Sequence, residues 1–380
     1  MGSRIVIFGA TGYTGRLIAE RLAAQGAMPV LAGRDETRLG ELAERLGGLE
    51  TVRADALRRN SVFEAVQPGD VLVSTVGPFA KYGDAAVRAA IAAPGSVYLD
   101  STGEPVFIRH LFEELGGVGG PASRAGTTLM TAMGFDFVPG ALAGALALRE
   151  AGDRAVRVDV GYFSLGMGPG GASAGTRESL VGVTLNDNHA FREGRVRSVR
   201  PAERVRTFQV KGKARTAISV GGAEHYTLPP VHRGLLEVNV YIGWFGALAK
   251  PLQAGTLAGT VALKLPGVRS VLQAAGERLV SLAGAPEPGT TPDTLSWIAA
   301  VACDAAGEPL AEVHLTGTDA YDFTASFLAW AAQRAAGGNR PSVHGAVGPV
   351  EAFGLDALEQ GCAAAGLTRR RDADAAAAAA

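Results

Sequence analysis

The chain has 380 residues, is 47% hydrophobic and carries a formal net charge of -1, which suits one large or two ordinary globular domains with cores of their own. Near-neutral charge gives no basic footprint for nucleic acid, and the arginines between 192 and 215 are interleaved with Val, Phe and Glu instead of forming a block. Two cysteines, Cys303 and Cys362, exclude a disulfide framework and a Cys-rich metal site, and the six histidines contain no H-x-x-x-H pair, so no metal is expected.

Residues 4–16 read RIVIFGATGYTGR, an apolar strand that runs into Gly9, Gly12 and Gly15 and opens the helical pattern GRLIAERLAAQG. There follow MPVLAGR, ETRLGELAERLG, ETVRAD, SVFEAV, DVLVSTVG, DAAVRAAIAA, SVYLDST and TLMTAM, an alternation of short apolar runs with helical patterns. This order predicts an α/β fold with a Rossmann-type doubly wound parallel sheet over 1–150, its strands apolar on both faces because helices cover both.

Beyond it the strand-like runs lengthen to AVRVDVGYF, HYTLPP and LLEVNVYIGWF, and a hairpin, SWIAAVACDAAGEPLAEVHLTG, carries Asp304 and Gly307 in its turn. A second α+β domain, the expected substrate domain, on a mostly antiparallel sheet is expected over 151–345. It includes a glycine-rich connection, GMGPGGASAG, and helical stretches at about 246–283 and 319–337. Residues 346–371 form a closing segment that ends in a helix, and 372–380 an alanine-rich low-complexity tail. The longest apolar stretch, WFGALAKPLQAGTLAGTVALKLPG, is interrupted by Lys250, Pro251, Gln253 and Lys264. That leaves a run short of the roughly 20 residues a membrane span needs, so no integral membrane segment is expected. The first apolar run enters glycines and not a small-residue cleavage site, and the expected location is the cytoplasm. Nothing indicates the oligomeric state.

At a strand-to-helix turn the first glycine allows a sharp bend, the second lets a pyrophosphate approach and the third lets the helix pack on its strand. The helix N-terminus then offers N–H groups and a partial positive charge. Gly9, Thr11, Gly12, Tyr13 and Gly15 are the expected phosphate cradle. At the end of the second strand, where an acid would bond the ribose of NAD, stand Gly33 and Arg34. A guanidinium there suits the 2′-phosphate of NADP, with Arg38 one turn later as a second clamp. The alternative is that Arg34 covers a solvent corner while Asp35 reads the ribose. Two further strand ends complete the expected cofactor site: ADA at 54–56 with Asp55, and STVGPFAKYG at 74–83 with Thr75, Val76, Gly77 and Pro78. Asp55 is equally readable as a helix cap and Pro78 as a turn residue.

The stretches GATGYTG, LAGR, STVGPF, YLDSTGE at 98–104 and GFDFVPG at 134–140 resemble the saccharopine dehydrogenase-like NADP-binding reductases, with a looser match in GAVGPVEAFG. The resemblance extends to trans-acting enoyl reductases and to atypical short-chain-type polyketide ketoreductases. It implies NADPH, hydride transfer and a lid-like second domain.

The Y-x-x-x-K arrangement, in which a lysine lowers the pKa of a proton-donating tyrosine, is absent at all seven tyrosines. The remaining proton-donor candidates are Tyr82, Ser101 and Asp136, with bland rivals as a pocket wall, a turn hydroxyl and the N-cap of the helix VPGALAGALAL. Substrate or water is a further source. Arg177, Arg192, Arg195 and Arg233 are available for a carboxylate-rich, saccharopine-type substrate. Tyr162, Phe163, Met167, Phe191, Trp244 and Phe245 suit an apolar cleft, although most of them read equally well as core. The expected function is NADPH-dependent reduction of a C=O or conjugated C=C of an apolar, polyketide-like or lipid-like metabolite. The alternatives are a saccharopine-type imine reductase and a non-catalytic NADP-binding sensor or scaffold.

Overall fold

The computed structural model describes residues 3–165, 188–244, 295–317 and 319–370, with a few positions between 249 and 256. The chain divides into two compact units, Met1–Val138 with Ala320–Ala365, and Pro139–Asp319 with Gly366–Ala380.

The first unit is built on a parallel sheet of β1 (Ile5–Phe8), β2 (Val30–Gly33), β3 (Thr51–Arg53), β4 (Val71–Ser74), β5 (Val97–Asp100) and β6 (Thr128–Met130), extended by the short strand Gly345–Ala346. Its spatial order is 3-2-1-4-5-6 followed by Gly345–Ala346, the order of a dinucleotide-binding sheet with its switch point between β1 and β4. Every residue of β1, β2, β4 and β5 is buried, as helices on both faces require, whereas β3 at the edge is partly exposed. Helices α1 (Tyr13–Ala24), α2 (Glu36–Arg45), α3 (Arg59–Ala65) and α4 (Phe79–Ala92) make the crossovers.

The helix Ala320–Ala336, expected in the second domain, belongs to the first unit. Its alanines Ala325, Ala329, Ala331 and Ala332 are fully buried, and small side chains let a helix approach its neighbours closely. Arg21 of α1 donates to Ser326 Oγ at 2.7 Å and pairs with Asp322, and Tyr13 meets Tyr321 edge-on at 5.4 Å. The helix Leu355–Ala364 joins the same unit, with Gly361 against Trp330, where an added Cβ would stand 2.7 Å from the indole. The helix Val138–Ala151, expected to end the first domain, lies almost wholly in the second unit, whose boundary is at Pro139. Gly140 packs on Tyr162, and Gly144 on Leu228 and Val160.

The second unit holds a mixed sheet of β7 (Arg157–Leu165), β8 (Asn188–Arg192), β9 (Arg195–Val199), β10 (Val205–Val210), β11 (Lys213–Val220), β12 (Glu237–Ile242), β13 (Leu295–Cys303) and β14 (Pro309–Gly317), with Leu367–Arg369 paired to β14. The β7–β12 pair is parallel and its other pairs are antiparallel. In the β13–β14 turn Asp304 Oδ1 accepts from the amides of Ala306 and Glu308, and Gly307 takes φ +88°. HYTLPP, expected as a strand, is instead the helical turn Glu224–Thr227 followed by the 3-10 turn Pro229–Val231. Prolines 229 and 230 have no amide to give a ladder. The interleaved arginines lie on strands or in the turns beside them and are largely paired: Arg192 with Glu203 at 2.7 Å, Arg204 with Glu237 at 2.8 Å, Arg197 with Glu193 and Arg206 with the buried Asp159. No helix among the described residues is long and apolar enough to cross a membrane.

Candidate cofactor and active site

The glycine turn has the geometry that close packing demands. Gly9 takes φ +92°, and a Cβ there would fall 2.7 Å from Thr75 Oγ1 and 2.9 Å from Val76 Cγ2. A Cβ on Gly15 would lie 2.3 Å from the Gly9 carbonyl oxygen, so α1 rests directly on the turn. Gly12 caps α1, with no side chain on its amides and no acid in its first turn, which leaves the positive end of the helix dipole to a ligand. Gly12 and Tyr13 are exposed, and Thr11 is half-buried. The hydroxyl of Thr75 donates back to the Phe8 or Gly9 carbonyl, at 3.2 and 3.3 Å, and braces the turn from the end of β4.

At the end of β2, Asp35 is the N-cap of α2 and accepts from the Arg38 amide at 3.1 Å. The Arg38 guanidinium donates to the Thr11 carbonyl at 3.2 Å, so it is tied to the glycine turn. Arg34 is exposed and has no hydrogen-bond or ion-pair partner among the described residues. Around Gly33 the nearest atoms to an added Cβ are those of Leu39, at an ordinary 3.6 Å. Arg53, which sequence reasoning missed, stands directly opposite Gly33 in the β2–β3 register, paired loosely with Glu36 at 3.8 Å. Asp55 is engaged locally: Oδ1 accepts from the Leu57 amide at 3.0 Å, in a turn that leads to α3.

The ends of β4, β5 and β6 are laced by carboxylates. Glu104 accepts from the amides of Phe79 at 2.7 Å and Ala80 at 2.9 Å, capping α4. VGPFAKYG is therefore not a strand end as expected. Val76 and Pro78 are half-buried, Gly77 is exposed, and Tyr82 sits half-buried in the first turn of α4. Asp100, fully buried, accepts at Oδ1 from the amides of Thr102 and Ala132, each at 2.9 Å, and from the Thr131 hydroxyl at both oxygens. Burial pushes its carboxyl up to about 6 despite these bonds.

Asp136 does not cap the helix that follows. It accepts no hydrogen bond and forms no ion pair among the described residues. Its Oδ2 lies 3.2 Å from where a Cβ on Gly103 would stand, and burial alone pushes its carboxyl up to about 6. Ser101 lies nearby, with its Cβ 3.6 Å from the Cβ position of Gly134. The cis peptide bonds Gly77–Pro78 and Asp136–Phe137 both fall in these connections. The first unit thus carries all three proton-donor candidates, each half-buried, with Ser101 and Asp136 in connections beyond its strands and Tyr82 on α4; among them Asp136 is the carboxyl whose surroundings raise it toward neutrality.

In the second unit Tyr162, Phe163 and Phe191 are core residues, and Trp244 is 37% exposed. The Tyr162 hydroxyl donates to Glu224 Oε1 at 2.6 Å and accepts from the Gly140 amide at 2.8 Å. Arg195 and Arg233 are exposed. The GMGPGG loop, Met167, Arg177, Phe245 and most of the expected helix 246–283 lie outside the described residues.

Residues 9–95 match the model of a family described as NAD(P)H-binding. Trans-acting enoyl reductases of Mycobacterium ulcerans and Mycobacterium tuberculosis are each 36% identical over 144 residues, 36% of this chain and 33% of theirs. A lipid droplet localized protein of Caenorhabditis elegans is 28% identical over 191 residues, 47% of this chain and 44% of its own. The chain therefore spans between a third and under half of the length of these curated relatives. Saccharopine dehydrogenase (L-Glu forming) from Saccharomyces cerevisiae aligns over 97% of this chain and 99% of its own, with a TM-score of 0.58 at 13% identity, which shows a shared fold. The chain thus has the fold of saccharopine dehydrogenase and an N-terminal region similar to NAD(P)H-binding domains.

Proposed function

We propose that this chain is an oxidoreductase that uses NADPH to reduce a conjugated C=C or a C=O of an apolar, polyketide-like or lipid-like metabolite, without a Tyr–Lys pair. The observation that carries the reading is the uncapped N-terminus of α1, seated on Gly9 and Gly15 where no side chain fits, at the switch point of the sheet. The residues suit the cofactor: Gly9, Gly12 and Gly15 would admit its pyrophosphate, while Arg34, with Arg53 beside it, would take a 2′-phosphate. When bound, NADPH supplies a hydride. The chain holds the glycine turn rigid through Thr75 and Arg38, and it keeps the β4–β6 connections in place through Glu104 and Asp100. The names of the mycobacterial relatives, trans-acting enoyl reductases, favour C=C over C=O. Two cytoplasmic, small-molecule expectations go with this reading: no nucleic acid is bound, and the substrate is apolar.

The test is NADPH oxidation with a panel of enones, enoyl thioesters, quinone-like ketones and saccharopine-type imines. Turnover with enones or ketones above the imines supports the reading. NADPH binding without turnover on any of them would make the chain a scaffold or sensor.

A further inference from the structure

The structure assigns the proton of the reduction to Asp136, held unengaged at the carboxyl end of the parallel sheet against the bare Cα of Gly103. This inference rests on the reductase reading above.

Three observations carry it. First, the backbone around Asp136 is fixed while its carboxyl is not. The Phe137 amide donates to the Ala132 carbonyl at 2.9 Å, the Val138 amide to the Gly134 carbonyl at 3.1 Å, and the Phe135 amide to Thr324 Oγ1 at 2.9 Å. Ala132 is in turn held by Asp100. A catalytic group needs that kind of support, since a positioned acid must not rearrange before it acts. Second, the opposing residue is glycine. A Cβ at Gly103 would press within 3.2 Å of Oδ2 and 3.6 Å of the Asp136 Cβ. Third, every other acid in these connections is engaged. Glu104 caps α4, and Asp100 accepts from Thr102, Thr131 and Ala132. Ser101 and Thr324, which stand against the nearby Gly134, are neutral, and Thr324 donates to the Ala320 carbonyl. No cation of the described residues contributes to the state of the Asp136 carboxyl, which burial alone sets.

In the proposed step the O–H bond of the protonated carboxyl breaks and a new C–H or O–H bond forms at the atom of the double bond that does not receive hydride. Two electrons and one proton arrive with the hydride and one proton from Asp136, which saturates the bond. The carboxylate that remains is reprotonated from water. A carboxyl that titrates near 6 remains partly protonated at neutral pH, as an efficient general acid requires.

The test has two arms, both on the full chain. Difference infrared titration of the cofactor-free protein, unmodified minus Asp136→Asn, should show a protonated carboxyl band that disappears as pH rises through about 6. A band already absent at pH 5 would overturn the assignment. Single-turnover reduction with NADPH should slow by roughly 10²–10⁴-fold in Asp136→Asn. NADPH affinity should stay within about twofold, and the fall in rate above about pH 6 expected of the unmodified enzyme should be lost. Less than about a tenfold loss would overturn the assignment while leaving the reductase standing. No turnover by the unmodified enzyme would instead overturn the reductase reading, and the assignment with it.

Discussion

Two regions of the first unit sit at the same end of one sheet and solve opposite problems. At β1–β3 the backbone is the binding device: Gly9, Gly12 and Gly15 let the N-terminus of α1 sit tightly on the turn, and cations stand at the rim, with Arg34 exposed and unengaged. At β4–β6 the side chains are the device, and they are acids turned inward: Glu104 caps a helix, Asp100 ties two connections together and Asp136 is held without a partner. The first region meets an anion that brings its own charge. The second must hold a proton, which water would otherwise level, so its carboxyls are drawn away from water, Asp100 wholly and Glu104 and Asp136 in part.

The comparison is broken most severely at Asp100. Asp100→Ala leaves the amides of Thr102 and Ala132 and the hydroxyl of Thr131 without their acceptor in a buried site. Each orphaned donor costs on the order of 1–3 kcal/mol, and we expect a loss of about 3–5 kcal/mol in urea-unfolding free energy. A loss below about 1 kcal/mol would show that the connections are held by something else.

The rim is the next test. Arg34→Ala should weaken NADPH binding by about 1.5–3 kcal/mol, the scale of a hydrogen bond to a charged group, and leave NADH nearly unchanged. Arg38→Ala should cost less, because its guanidinium is already occupied by the Thr11 carbonyl. Fluorescence titration with both nucleotides reads the difference, and equal affinities in the unmodified protein would remove Arg34 from the cofactor site.

Asp100 and Asp136 share a carboxyl raised to about 6, yet only one of them is expected to limit stability without compensation. Between the unfolded value near 3.8 and about 6, the folded state binds more protons than the unfolded state. Stability therefore falls as pH rises through that window and levels off above it. One pKa unit is about 1.4 kcal/mol, and the partial exposure of Asp136 reduces its share. Asp136→Asn should accordingly raise stability by about 1–2 kcal/mol at pH 7 and by nearly nothing at pH 4. A variant less stable than the unmodified protein at pH 7 would mean that the carboxylate has a partner after all.

What was legible in the sequence followed the same division. The glycine turn could be read because backbone approach and a sharp turn impose residue types at fixed spacing, and Arg34 follows from counting to the end of the second strand. Arg53 needed only the β2–β3 register to be found opposite Gly33. The strands of the first unit were legible as apolar runs. The strands from 188 to 220 were not, although Glu193–Gly194 and Lys211–Gly212, each pair at positive φ, mark two-residue hairpin turns between them. The roles of Glu104 and Asp100 could not be read, because their partners lie 25 and about 31 residues away in sequence. The home of Ala320–Ala336 was likewise set by tertiary packing, through Arg21, Tyr13 and buried alanines.

Tyr82 gives the smallest effect, for a reason the helix supplies. On a strand, Lys81 and Tyr82 would point to opposite sides, and the lysine would be irrelevant to the phenol. On α4 they are neighbours, and Lys81 Nζ stands 5.0 Å from the centroid of the Tyr82 ring. An ammonium over the ring face meets the π-system, in a contact worth about 0.5–1 kcal/mol at an exposed site, whereas assistance to a proton transfer requires it to address the hydroxyl. The half-buried Tyr82 thus has the surroundings of a wall residue. Tyr82→Phe keeps the ring and the cation contact and removes only the hydroxyl. Reduction should slow by less than about tenfold, with NADPH affinity unchanged, because positioning of substrate against cofactor supplies much of the rate. A hundredfold loss in a correctly folded Tyr82→Phe enzyme would transfer the proton to Tyr82. The inward acids of the β4–β6 end would then be scaffolding, Asp136 included.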